Sequence, residues 1–327
     1  MSANRYLALT GGIGGSKLAL GLSKILSADE LGFIVNTGDD FEHLGLHISP
    51  DIDTLLYTLA DLNNTETGWG RRDETWKFMS TLAELGGETW FKLGDKDLAL
   101  NIRRSSLLNS GASLNEVSTQ LAESLGVLHS ILPMSNDPVR TRVHTEDGPM
   151  DFQHYFVREQ CEPVAKSFEY SGSATAKLNP EIGVRLESEQ LAGIILCPSS
   201  PFISIDPILS VPTMRDALRQ CAAPVIAISP IVGGRALKGP LAKIMREMSI
   251  PATARWIAEY YGDFIDGFVI DETDEALASE IEALGVTTMC TNIVMTSMDD
   301  RVQLARASLE FVASLSQSDR RKAVSGE

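Results

Sequence analysis

The sequence predicts an α/β fold, with a Rossmann-like parallel sheet core flanked by helices and an inserted helical and β-rich segment. Three observations carry this. An apolar run ends in a glycine-rich turn that opens a helical stretch, and similar strand-like runs resume after Leu186. Between about Leu128 and Tyr170 that rhythm breaks.

Tyr6-Leu-Ala-Leu-Thr10 reads as the first strand, Gly11-Gly-Ile-Gly-Gly15 as the turn and Ser16 to Leu26 as the helix, the opening of a nucleotide-binding unit. Gly32 to Asn36 is a second strand running into the polar loop Thr37-Gly-Asp-Asp40. Helices are expected over Asp53 to Asp61, Asp73 to Glu84 and Ser113 to Ser124. Val139 to Thr145 alternates, and Phe152 to Val157 and Ala165 to Tyr170 are also strand-like. Ala192 to Leu196, Pro224 to Ser229, Gly267 to Ile270 and Val286 to Met289 restore the core, and a helix over Arg301 to Leu315 ends it. One domain over 1–315 is expected, with core at about 1–60 and 186–315, insertion at about 61–185, and a disordered polar tail over 316–327.

The 327 residues carry a net charge of -16, which disfavours nucleic acid as a partner. No apolar run reaches the ~18–20 residues of a membrane span, and no signal region precedes the first strand, so a cytoplasmic protein is expected. Cys161, Cys197, Cys221 and Cys290 form no close pair, which argues for buried free thiols over zinc or redox motifs.

An acidic chain that binds an anion needs local help from amides, cations or a metal. Gly12 and Gly14 allow close backbone approach to a phosphate at a helix N-terminus, the bland alternative being a tight turn. Asp39, Asp40, Asp51 and Asp53 are expected on loops beyond strand ends. Such hard oxygens suit magnesium, the bland alternative for Asp51 and Asp53 being a helix cap. Trp69 between two glycines offers a face to a flat ligand or anchors its loop, and Lys96 holds a ligand oxygen or belongs to a solvated turn. The Pro198 to Pro207 loop supplies Ser199, Ser200 and Ser204, and Gly233-Gly234 with Arg235 and Lys238 repeats the pattern one strand later. His43 and His47 flank Gly45, which argues against a helical two-His metal site, and no Gly-x-Ser-x-Gly elbow exists.

Gly11-Gly-Ile-Gly-Gly-Ser-Lys-Leu18, Val35-Asn-Thr-Gly-Asp-Asp40, Ile48-Ser-Pro-Asp-Ile-Asp-Thr54, Gly68-Trp-Gly70, Leu93-Gly-Asp-Lys-Asp-Leu98, Leu132-Pro-Met-Ser135, Phe152-Gln153, Pro198-Ser-Ser-Pro201 and Ser229-Pro-Ile-Val-Gly-Gly234 occur in that order. Together they resemble the 2-phospho-L-lactate transferase family of coenzyme F-420 biosynthesis, from about residue 5 to 312. The resemblance implies a magnesium-dependent, often dimeric enzyme. Such an enzyme moves phospholactate, or a relative such as phosphoenolpyruvate or phosphoglycerate, from a guanosine diphosphate-linked donor to the ribityl hydroxyl of the deazaflavin Fo, releasing GMP. It places the deazaflavin contacts at Asp53 and Lys96 and the metal at Asp39, Asp40 and Asp53; the proximity of these motifs makes Asp53 the expected base, with Asp40 as the alternative.

Three departures from the family pattern stand out: Ser200 in Pro-Ser-Ser-Pro, Asp206 in Ser-Ile-Asp-Pro, and Asn136 in Ser-Asn-Asp. A carboxylate at Asp206 would repel an anionic donor unless it faces away or meets the metal. Two rivals share parts of the pattern. A sugar-nucleotide-binding regulator of related fold would lack Gly-Trp-Gly and Gly-Asp-Lys-Asp. A nicotinamide dehydrogenase would need a third glycine where Lys17 stands.

Overall fold

The structure, a computed structural model, describes residues 5–315 except Thr67 and Lys238, so the tail expected over 316–327 and the Lys238 ligand expectation lie outside the described residues. The first unit is β1 (Tyr6–Thr10), α1 (Gly12–Ser23) and β2 (Leu31–Val35). The hairpin β3 (Phe41–His43) and β4 (Leu46–Ile48) follows, then α2 (Pro50–Leu59), α3 (Lys77–Glu84), α4 (Asp95–Asn109), α5 (Leu114–Ser124) and β5 (Ser130–Pro133). An antiparallel sheet of β6 (Arg140–Thr145), β7 (Gly148–Asp151) and β8 (Ala165–Ser171) precedes α6 (Pro180–Leu186) and β9 (Gly193–Leu196). Next come α7 (Asp206–Ser210), α8 (Met214–Gln220), β10 (Val225–Ile228) and the hairpin β11 (Ile231–Val232) and β12 (Arg235–Ala236). The chain then forms α9 (Leu241–Glu247), α10 (Ala254–Tyr261), β13 (Gly267–Ile270), α11 (Ala278–Glu282), β14 (Thr287–Cys290) and α12 (Met298–Ser314).

Seven strands pair in parallel in the order β14-β13-β10-β9-β1-β2-β5. The order reverses between β1 and β9, and the crevice at such a switch point is where open α/β sheets bind ligands. Strands covered on both faces must be apolar throughout, as β2, β9, β10 and β13 are. Alternation along β1 sends Leu7 and Leu9 into one layer, with Phe202 and Ile257, and Ala8 into the other, with Leu18, Ile52 and Leu304.

Four readings of the sequence need correction. Asp51 and Asp53 lie in the first turn of α2, where carboxylates favour the helix dipole, and not on a loop. Phe152 to Arg158 is helical, because Phe152 and Tyr155 bury together at i, i+3 and Phe156 stacks on Phe152 at 5.3 Å. β5, within the segment read as inserted, pairs with β2 and extends the core sheet. Cys290 is exposed, whereas the other three thiols are buried.

Helix α4 escaped sequence reading because its inward face carries Asn101, Arg104 and Ser105, which blur the apolar period. Its start is fixed by Glu74, whose carboxylate accepts from the Lys96 and Asp97 amides at 2.9 Å each.

Helix α1 packs on α12 through Gly21, where an added Cβ would run into the Arg301 carbonyl oxygen. Gly21→Ala is expected to cost about 1–3 kcal/mol by overpacking. Gly183→Ala in α6, where a Cβ meets open space, should gain about 0.5–1 kcal/mol. Urea unfolding of the two variants measures both, and equal midpoints would contradict the packing assigned to Gly21.

Candidate active site at the switch point

The glycine turn after β1 and the serine loop after β9 interlock. Ser199 Oγ accepts from the Gly11 amide at 3.3 Å and donates to the Gly11 carbonyl at 2.9 Å. A Cβ on Gly14 would lie 2.6 Å from the Pro198 carbonyl oxygen, and one on Gly11 would lie 2.7 Å from Ser204 Cβ. Gly12 takes φ 64°, which favours glycine. Ser200 Oγ is buried with no hydrogen-bond partner among the described residues.

The Gly12 amide, which the sequence offers to a phosphate, donates to Asp51 Oδ1 at 2.6 Å. Asp51 therefore caps a helix, but α1 and not its own. Its other oxygen accepts from Asn36 Nδ2 at 2.8 Å. Burial pushes the Asp51 carboxyl up to about 7.

Asn36 gathers the neighbouring carboxylate as well, donating to Asp39 Oδ1 at 3.2 Å while its own oxygen accepts from the Gly38 amide at 2.7 Å. Burial, then the charges of Asp51 and Asp40, raise Asp39 well above the usual carboxylate range. Asp40 Oδ2 accepts from Ser49 Oγ at 2.8 Å and faces His47 Nε2 at 3.0 Å. The β3–β4 hairpin delivers His47, whose Nδ1 lies 3.2 Å from its cross-strand neighbour Glu42. Asp40 Oδ1 is buried and has no partner among the described residues.

Asp53 is held differently. Both its oxygens accept from the Arg104 guanidinium, one at 3.0 Å from Nη1 and the other from Nη2. Arg104 is itself fully buried and donates to Asn101 Oδ1 at 2.5 Å. Burial raises the Asp53 carboxyl and Arg104 opposes the rise. One turn on, Tyr57 donates to Asp97 at 2.5 Å, which ties α2 to the first turn of α4. Desolvation lifts Asp97 to about 7.

No group of three or more His, Cys, Asp or Glu is arranged to hold a metal among the described residues. Magnesium does not require such a cage, since it takes one or two carboxylates and completes its shell with water and substrate phosphates. Two buried carboxylates in mutual repulsion, Asp39 and Asp40, and the orphaned Oδ1 of Asp40 fit a divalent cation.

A cleft of about 260 Å³ opens beside them, lined among others by Asp39, Asp40, Trp90, Arg140, Gln153 and His154. Gln153 donates to the Asp39 carbonyl at 3.2 Å, and the Trp90 and His154 rings lie 4.7 Å apart. Trp69 and Lys96 do not line this cleft. Trp69 is 47% exposed beside a separate hollow of about 30 Å³ shared with Trp76 and Asp97, and Lys96 is exposed on the first turn of α4. Gly233 and Gly234 turn the β11–β12 hairpin at φ 54° and 73°, and the Gly233 amide already donates to Asp274 at 3.0 Å. Sequence reasoning missed Asn36, His47, Arg104 and Arg140 as site residues, and the alternation at Val139 to Thr145 was the only signal for Arg140.

Two of the three departures from the family pattern, Asn136 and Asp206, prove structural. Asn136 accepts from the Asn115 amide at 2.9 Å near the start of α5, and Asp137 accepts from the Lys177 amide at 2.8 Å. Asp206 faces away from the glycine turn into a tyrosine cluster, accepting from Tyr260 at 2.7 Å and Tyr170 at 3.4 Å.

Burial lifts Asp206 from the ordinary 3.8 to about 7. The folded state then binds its proton more tightly than the unfolded chain. Its stabilising contribution is complete below the unfolded value and is lost as pH rises from about 4 through about 7. Asp206→Asn should flatten that part of the stability–pH curve and stabilise the protein at pH 8 by on the order of 2–4 kcal/mol. An unchanged curve in chemical denaturation would contradict the burial assigned to this carboxyl.

The fold and crevice define a doubly wound α/β protein with an acidic ligand site at its switch point. The chain belongs to the 2-phospho-L-lactate transferase CofD family, whose model matches residues 7–306. It is 38% identical over 296 residues to the 2-phospho-L-lactate transferase of Methanosarcina mazei, covering 90% of this chain and 96% of the relative. It is 39% identical over 313 residues to the phosphoenolpyruvate transferase of Kitasatospora aureofaciens, covering 93% and 97%. A upf0052-family protein from Bacillus halodurans shares the fold at a TM-score of 0.61 and 16% identity, over 94% of this chain and 99% of that one. The chain is accordingly a transferase of coenzyme F-420 biosynthesis. No helix of the described residues is long and apolar enough to cross a membrane.

Proposed function

We propose that this protein transfers a phosphorylated three-carbon acid from a guanosine diphosphate-linked donor to the ribityl hydroxyl of the deazaflavin Fo. GMP is released, magnesium is required, and the working form is a cytoplasmic homodimer. The observation that carries the site assignment is the unpartnered, buried Oδ1 of Asp40 on the wall of the cleft. The names of the relatives support phospholactate or phosphoenolpyruvate as the acid, with phosphoglycerate as a third member of the class. Dimerisation is supported by the family resemblance alone.

Attack on a diphosphate asks for positioning and charge neutralisation more than for covalent catalysis. The hydroxyl oxygen forms a bond to the phosphorus next to the acid, the bond from that phosphorus to the GMP oxygen breaks, and the hydroxyl proton goes to Asp40 Oδ1. Ser49 and His47 hold the other Asp40 oxygen and so aim the free one. Asp40 is preferred over Asp53 as base because both Asp53 oxygens are engaged by Arg104. In this reading Asp53 and Lys96 contact the acceptor from α2 and α4, while Gly12, Gly14, Ser199, Ser200, Ser204 and the Gly233-Gly234 turn border the donor. Asp39 would hold magnesium, with Asp40 and Asp53 beside it, so that Asp40 Oδ1 stays open to the proton, and the ion would supply neutralisation of diphosphate charge when bound.

Asp40→Asn is expected to lower kcat by about 10²–10⁴-fold, the range of a lost general base, with fold and deazaflavin affinity intact. Product formation followed by mass spectrometry, with and without magnesium, measures this. Full turnover by the variant would remove Asp40 from the reaction, and no turnover by the parent protein with any of the three donors would remove the transferase assignment proposed here.

A further inference from the structure

Arg140 is the only Lys or Arg among the described residues lining the cleft, where it shares the wall with the carboxylates Asp39, Asp40, Glu42 and Asp151. Among the charged side chains of that wall it alone attracts an anionic group. The side chain is half-buried at the start of β6, and among the described residues its one hydrogen-bond partner is the Val139 carbonyl, at 2.9 Å from Nη1. A guanidinium carries five N–H donors in a planar fork, so most of its capacity faces no protein acceptor.

Two neighbouring observations set the place. Arg140 is close enough to Asp39 to oppose the rise in its carboxyl, so it stands at the acidic end of the cleft. Thr141, which also lines the cleft, keeps its buried hydroxyl without a partner among the described residues. A side chain on Gly38 would come within 2.8 Å of that hydroxyl, so it stands against the Thr37–Asp40 loop. A cation with free donors beside the Thr37–Asp40 loop makes a place for a small oxyanion.

We infer that Arg140 is the specificity residue of the donor, binding the carboxylate of the acid being transferred while the guanosine diphosphate part is held elsewhere. A planar carboxylate matches the guanidinium fork with two parallel hydrogen bonds, which a lysine cannot reproduce. The inference rests on the transferase reading proposed above and adds the group that distinguishes the donor from plain guanosine diphosphate. Arg140 thereby offsets the charge of the acid beside Asp39, and donors whose acid lacks a carboxylate are poor substrates.

Arg140→Gln and Arg140→Lys test this with lactyl-diphosphoguanosine as donor and Fo as acceptor. In Arg140→Gln the donor KM should rise about ten- to a hundredfold, the effect of losing a charge-assisted pair, and Arg140→Lys should recover only part of it. The KM for Fo and the calorimetric Kd for guanosine diphosphate alone should stay within about twofold, which also reports an intact fold. A donor KM unchanged in Arg140→Gln overturns the inference. So does a parallel weakening of guanosine diphosphate, which would put Arg140 on the diphosphate instead. Absence of turnover in the parent protein with all three donors would instead strike the transferase reading itself.

Discussion

The carboxylate of Asp51 accepts from the Gly12 amide at 2.6 Å and from Asn36 at 2.8 Å, and so joins the start of α1, the loop after β2 and the first turn of α2. Each partner is fixed elsewhere in turn. Gly12 follows Gly11, which is locked to Ser199 beyond β9, and Asn36 also holds Asp39 and the Ile203 carbonyl. The switch point of the sheet is thereby pinned from both sides. A buried polar network of this kind is worth having only when its members are satisfied, and the atoms left over mark where a ligand belongs. Asp40 Oδ1, Thr37 Oγ1, Thr141 Oγ1 and Ser200 Oγ are such atoms, all on loops or strand ends around this network.

The acidic character of the crevice follows from the same arrangement. Asp39 and Asp51, both held by Asn36, repel one another and the neighbouring Asp40, and burial raises both Asp39 and Asp51. Asp53, in the first turn of α2, is also raised by burial, and Arg104, a guanidinium buried on α4, opposes the rise. Removing one partner of such a buried pair typically costs about 3–5 kcal/mol, so Arg104 serves stability and at the same time sets the position of Asp53.

The core of the fold was legible because fully covered parallel strands must be continuous apolar runs, and the glycine and serine loops lie at their carboxyl ends. The inward polar face of α4 was not, since Arg104 and Asn101 make sense only beside an aspartate 51 residues away from the arginine. Phe152 to Arg158 misled because so short a window fits period 2 and period 3.6 alike, and the packing of Tyr155 decides it. The site aspartates were recognisable as a set, but their division was not. Which of Asp39, Asp40, Asp51 and Asp53 caps, pairs or stays open depends on Gly12, Asn36, His47 and Arg104, and residue spacing carries no record of those contacts.

In the proposed mechanism the buried carboxylates of Asp39 and Asp40 at the switch point together receive a divalent cation with the donor nucleotide. Calorimetric titration of magnesium into the protein with guanosine diphosphate present, for the parent chain and for Asp40→Asn, tests it directly. Saturable binding by the parent that the substitution weakens at least tenfold is the expected result. Equal affinity in the two proteins, or no magnesium binding by the parent chain, would contradict it.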